Sequence, residues 1–231
     1  VHFHTLFSKK PFVGATMAIS SHLTLLTGIA GINVYIVRIL KLPFDISLHF
    51  YFFFFVGVII TGILKMFFYS SVGAGFLGTL GSSALLYVSI HWIILGNTIN
   101  IPLLYIQGLL LGFGASMTLV SGSMATLLDG DLKEAAQRSQ TMHTIRNFSA
   151  AMLIPIIAYT IKNHIQKGTQ SIYAENITDK MIYLKKLQDV AIDADHQIFL
   201  LMIIFNMVMF VSSIIQMILG KGRRITPPRE S

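Results

Sequence analysis

Long apolar stretches alternate with short polar segments along most of this chain. A helix rises about 1.5 Å per residue, so about 20 apolar residues cross the roughly 30 Å hydrocarbon core of a bilayer. Every stretch but one reaches that length outright, and the fifth reaches it only if it begins near residue 142 and includes Arg146. The pattern predicts an all-α membrane protein, a single domain of six transmembrane helices at about 12–37, 48–68, 73–95, 101–128, 142–161 and 198–219.

The distribution of Lys and Arg predicts that both termini are cytoplasmic. With the N-terminus inside, the inner segments carry Lys9 and Lys133, whereas the first outer loop carries Arg38 and Lys41. Basic residues in short loops mark the cytoplasmic side, and a basic tail at 220–231 then lies there too.

The longest polar connection, at 162–197, is expected outside. Its acidic and basic residues nearly balance. The spacing of Ile177, Met181, Leu184 and Leu187 favours a short amphipathic helix on the membrane surface. A solvated loop is the alternative, and the sequence leaves both open.

Composition narrows the function classes. Hydrophobic residues make up 54% and charged residues 12%, about half the charged fraction of soluble domains. The net charge of +7 does not predict a nucleic-acid partner, because the basic residues flank the spans, where they meet lipid headgroups. There is no cysteine, the histidines have no paired spacing, and no hydrolase or nucleotide-binding motif occurs. We therefore expect no enzyme, catalytic residue, metal or cofactor, and the lipid bilayer as the surrounding partner.

A polar stripe follows one face of the first predicted span. Its members recur every three or four residues, as positions on one helix face do: Ser20, Thr24, Thr27, Gly31 and Tyr35. Such a stripe either lines a wet cavity or forms a tight seam between helices. The stripe is therefore a candidate substrate-binding wall, with a seam between helices as the alternative interpretation.

The fourth span combines small residues with an amide. Gly108 and Gly112 form a Gly-xxx-Gly pair, which predicts close helix packing. Gln107 needs a hydrogen-bond partner in hydrocarbon. That partner is either a substrate or water molecule in a cavity, or a group on another helix. Pro155 in the fifth span permits a bend.

The spans contain no Asp or Glu. A proton-coupled transporter needs an intramembrane carboxylate or an equivalent relay. If this chain belongs to such a transporter, the coupling residues are expected in another part of the assembly.

Three segments carry a resemblance to a known family, at 106–117, 135–140 and 141–151. They are a glycine-rich helix, a connection of small residues and amides, and a segment similar to the pattern Asn-x-x-Arg-x-x-x-Gly. The chain resembles the C-terminal half of a major facilitator superfamily transporter, most closely the fourteen-helix drug:proton antiporter branch. Arg146 matches the arginine of the pattern, whereas His143 and Ala150 replace its asparagine and glycine.

One departure from that family concerns 62–69, which we interpret as the loop after the second span. The family usually has an Asp/Arg-containing turn ending in glycine there, and this chain keeps only the charge of Lys65. A gating charge pair is therefore not expected. Arg146 is expected to be structural, its guanidinium meeting lipid phosphate or a loop carboxylate such as Asp129 or Asp131.

The resemblance implies one half of a proton-coupled multidrug or small-molecule efflux permease of the bacterial inner membrane, working by alternating access. It implies amphipathic or cationic small-molecule substrates and a complementary N-terminal half. We expect structural or gating roles for Arg146, Gly108, Gly112 and Pro155. Because the chain begins with Val1, we expect a piece of a longer protein. The alternative is a six-helix membrane protein that does not transport, an assembly partner or a truncated remnant.

Overall fold

The computed structural model describes residues 6, 8–129, 131–175 and 179–221, and every regular element in that part of the chain is helical. The long helices are α1 (Lys9–Asn33), α2 (Phe44–Trp92), α3 (Ile101–Leu128), α4 (Ala135–Ala174) and α5 (Lys180–Ile218). A π-helical segment, Val34–Ile39, continues α1, and a 3₁₀ turn, Leu132–Glu134, precedes α4. All five long helices are long and apolar enough to cross a membrane, which confirms an all-α protein with membrane-compatible helices.

α2 joins the second and third predicted spans into one element of 49 residues. A straight helix of that length would extend about 74 Å, more than twice the hydrocarbon thickness. Instead Gly73 has φ 83°, a conformation that only glycine adopts easily, and the helix breaks there. The rings of Phe50 and Trp92, near opposite ends of α2, lie 6.4 Å apart. α2 is therefore a hairpin with a first arm at 44–72 and a second arm at 74–92.

α3 packs in parallel with the first arm through its glycines. A Cβ added at Gly112 would lie 2.0 Å from the carbonyl oxygen of Phe54, and one added at Gly108 would lie 2.9 Å from that of Phe50. The two helix backbones thus touch where the Gly-xxx-Gly pair predicts close packing. The second arm runs antiparallel to α3, since Leu85 packs on Gly114.

α1 and α5 are also antiparallel to each other, with Gly31 against the ring of Phe199 and Met17 close to Ser213. These directions define two ends of the bundle. The N-terminal end holds the start of α1, the break at Gly73 and the end of α3. The opposite end holds the π-helix, the α2–α3 connection at 93–100 and the segment of α5 at about 189–196.

The expected outer loop at 162–197 is helical at 162–174 and at 180–197. α4 continues to Ala174 and α5 begins at Lys180, so the two helices form a hairpin closed by an ion pair between Lys186 and Glu175. Ile172 and Ile192 are buried between the packed helices. Met181 and Leu184 belong to α5 and are exposed. Ile177 and most of the predicted tail, 222–231, lie outside the described residues.

Candidate functional site

The polar stripe of α1 is buried inside the bundle. Thr24 donates its hydroxyl to the carbonyl of Ser20 at 2.8 Å, and Thr27 donates to that of Leu23 at 2.7 Å. Thr24 and Thr27 are fully buried, and Gly31 lies against Phe199. The hydroxyls are thus bonded within their own helix, and the role of the stripe as a substrate-binding wall stays a prediction.

Tyr35 lies where α1 changes from α- to π-helical geometry. Its buried hydroxyl donates a hydrogen bond to the carbonyl of Gly96 in the α2–α3 connection. The ring of His196, on α5, bonds the neighbouring carbonyl of Leu95 at 2.8 Å. Side chains of the π-helix and of α5 therefore hydrogen-bond two consecutive residues of this connection, at the opposite end of the bundle.

Gln107 is buried beside this connection. Its Oε1 accepts a hydrogen bond from the indole nitrogen of Trp92 at 2.8 Å, while its Nε2 has no partner in the described structure. Gln107 borders a cavity of about 200 Å³ whose wall also includes His91, Gly96 and Asn100. One end of the amide therefore bonds another helix, while a substrate or water partner for its Nε2 stays a prediction.

Asp195 is the residue that the sequence analysis missed. Its carboxylate is buried, 1% exposed, and neither oxygen has a hydrogen-bond partner in the described part of the chain. Tyr35 lies close enough to interact with it electrostatically. The helical spacing of Asp195 with Ile192, Ile198 and Met202 was the available signal, because it places the acid on the buried face of α5.

The six apolar stretches contain no Asp or Glu, but the helical bundle extends beyond them. Asp195 lies three residues before the apolar stretch at 198–219, and α5 extends far enough to bury it among its neighbours. Counting charges only within the apolar stretch could not detect it. An ionised carboxylate buried without donors is costly, and such groups mark functional sites in membrane proteins.

Lys65 also differs from the sequence interpretation. The segment 62–69 is not a loop, since the first arm stays helical up to Gly73. The half-buried ammonium of Lys65 donates a hydrogen bond of 2.5 Å to the carbonyl of Ser116 in α3. It borders a separate crevice of about 390 Å³ at the side of the bundle.

Two arginines have different surroundings. Arg138 is 1% exposed and donates to the carbonyls of Thr126 and Leu127, both at 2.9 Å, so it caps the end of α3. Arg146 is half-buried on α4 close to His22, and its Nε has no partner in the described structure. Its expected structural role stays a prediction.

Pro155 lies exposed on α4, most of whose apolar surface is also exposed. A scan of the chain against protein-family models and a search of curated proteins found no match. The candidate site therefore rests on geometry: Asp195, Tyr35 and Gln107 at the opposite end of the bundle, and Lys65 on its side.

Proposed function

We propose that this chain is one half of a major facilitator-type transporter that moves small amphipathic molecules across the bacterial inner membrane. The two arms of α2 each cross the bilayer in this proposal, which gives six spans with both termini in the cytoplasm. Transport proceeds by alternating access and is coupled to protons. The observation that carries the proposal is the buried carboxylate of Asp195, which has no hydrogen-bond donor among the described residues.

The surroundings of Asp195 support a coupling role. A carboxylate buried at 1% exposure is stable there as the neutral acid or beside a cation, and it can ionise when water reaches it. The neighbouring π-helix supports the role too, because π-helical turns occur often at functional sites. Opening this end would let Asp195 release a proton, and closing it would favour proton uptake.

The hydrogen bonds at this end provide a means of opening. Tyr35 and His196 bond the carbonyls of Gly96 and Leu95, and Asn97 of the same connection donates to Asp189 of α5 at 3.3 Å. In the proposed motion these three hydrogen bonds break, and α1 and α5 move away from the α2–α3 connection while the glycine contacts between the first arm and α3 stay in place. In alternating access, one face of a substrate site opens while the other closes.

The exposed helix faces support a complementary half. α4 exposes large apolar side chains such as Phe148, Ile154 and Tyr159 at 66–70% of their surface. Lipid covers such a face in part, and a second helical unit covers the remainder in the proposed assembly. Substrate sites in two-half transporters lie between the halves near the midplane.

Asp195→Asn tests the proposal, with Asp193→Asn as the matched control because Asp193 is exposed on the same helix. The native assembly, purified through a C-terminal tag, is reconstituted into liposomes with a trapped pH-sensitive dye. Proton movement is measured after adding ethidium or an anionic fluorescein derivative under an imposed pH gradient. Substrate-dependent proton movement should be present in the control and lost in Asp195→Asn.

Equal proton movement in both variants would remove Asp195 from coupling. If no compound moves protons or is itself transported by the wild-type assembly, the non-transporting alternative is favoured.

A further inference from the structure

In the proposed topology, the ammonium group of Lys65 lies deep within the membrane. Lys65 precedes the break at Gly73 by eight residues, about 12 Å along the helix axis. It bonds Ser116, which lies about 18 Å from the end of α3 at Leu128. In a core about 30 Å thick, this position is close to the midplane. A lysine near a helix end normally extends toward the headgroups instead.

This ammonium group keeps donors for a ligand. It carries three protons, and the carbonyl of Ser116 accepts one. None of the ion pairs found among the described residues includes Lys65. A cation in that position needs an anion or water to offset the loss of its hydration.

A crevice between the first arm and α3 adjoins the ammonium group. Its volume is about 390 Å³, within the range of roughly 300–1,000 Å³ typical of ligand pockets. The wall is apolar at Met66, Val120 and Met124, and it includes Tyr69 and Ser70 toward the N-terminal end. Met66 is 83% exposed, so the crevice is open at the side of the bundle.

We propose that this crevice binds an amphipathic organic anion, with its carboxylate on the Lys65 ammonium and its apolar body along Met66, Val120 and Met124. The site refines the proposed transport function, on which it rests, by naming the substrate class. It replaces the cationic substrates implied by the family resemblance, because the lysine repels a cation. A phospholipid phosphate lies at the headgroup level, about 15 Å from the midplane, beyond the reach of this ammonium.

Binding is tested on the purified full chain in detergent with cis-parinaric acid, a fluorescent fatty acid, and with its uncharged methyl ester. The wild type should bind the acid at least about tenfold more tightly than the ester, the effect of one hydrogen bond to a charged group. Lys65→Gln should lose this preference and Lys65→Arg should retain it. Lys162→Gln, which changes an exposed lysine of α4, should leave both affinities unchanged.

Equal affinity of the wild type for acid and ester overturns the proposal, and so does a preference that survives in Lys65→Gln. If Lys65→Gln elutes as an aggregate, the proposal is still tested by the ratio of acid to ester affinity in the wild type and by the retention of that ratio in Lys65→Arg. The assay requires no transport, which separates the two proposals. Acid-selective binding without proton-linked transport would contradict the proposed function alone, and transport of neutral dyes without acid-selective binding would contradict this site alone.

Discussion

The glycine seam between the first arm and α3 yields the sharpest test of the fold. A Cβ added at Gly57 would lie 2.1 Å from the carbonyl oxygen of Leu109, whereas one added at Gly62 would meet nothing within 4 Å. Both glycines belong to the first arm, so the gain in helix propensity on changing to alanine, about 1 kcal/mol in water, is common to both variants. The difference between Gly57→Ala and Gly62→Ala therefore measures the seam.

The expected size of that difference follows from the contact. Contacts of a Cβ below 3.0 Å essentially never occur, so the helices must separate by about 1 Å at Gly57. Overpacking of this kind costs about 1–3 kcal/mol. Gly57→Ala should thus lower the free energy of unfolding by about 1–3 kcal/mol relative to Gly62→Ala.

Trp92 provides the signal for this measurement, because it is the only tryptophan of the chain and is fully buried. Its fluorescence is followed as sodium dodecyl sulfate displaces a mild detergent from the micelle. The two unfolding midpoints are compared with that of the wild type. A Gly57→Ala protein as stable as Gly62→Ala would mean that α3 and the first arm do not touch at this point.

Two further predictions concern the ends of the bundle. Arg138→Gln should lower the free energy of unfolding by about 2–4 kcal/mol, because two carbonyls of α3 lose charged donors. Arg38→Gln should have little effect on the free energy of unfolding, because Arg38 is exposed. The same fluorescence titration measures both variants, and equal unfolding midpoints would contradict the capping role of Arg138. In the cysteine-free chain, single cysteines at Ser8, Ser171 and Thr226 report topology, and an impermeant maleimide should label only Ser171→Cys in intact cells, whereas outside labelling of a terminus would refute the proposed orientation.

Hydropathy predicted the helices well because the apolar stretches are long and nearly free of charge. The spacing of the small residues also predicted close packing at Gly108 and Gly112, because glycines four residues apart let two helix backbones touch. Hydropathy could not predict the hairpin without a loop at Gly73. Nothing in the local sequence distinguishes a glycine that breaks a helix from those that allow helices to approach.

The candidate site was predicted in part. Gln107 and Tyr35 were identified because a polar group in an apolar stretch is conspicuous, and both are buried in the structure. Asp195 was not, because it precedes the apolar stretch and is buried only through the packing of α5 against other helices. Burial of this kind depends on contacts between residues distant in the chain, such as Tyr35 with the α2–α3 connection.

The helical position of Lys65 also affects which basic residues indicate the cytoplasmic side. The sequence interpretation places Lys65 in a loop at 62–69, but 66–72 contains no charge and the helix continues to Gly73. Lys65 therefore lies within the proposed membrane core, where it gives no information on the inner side, and the bias toward a cytoplasmic N-terminus must come from residues such as Lys9 and Lys133. The orientation is the same without Lys65, whereas the charge of Lys65 now requires an explanation of its own. A cation retained at that depth, with an open crevice beside it, is more consistent with ligand binding than with anchoring in the bilayer.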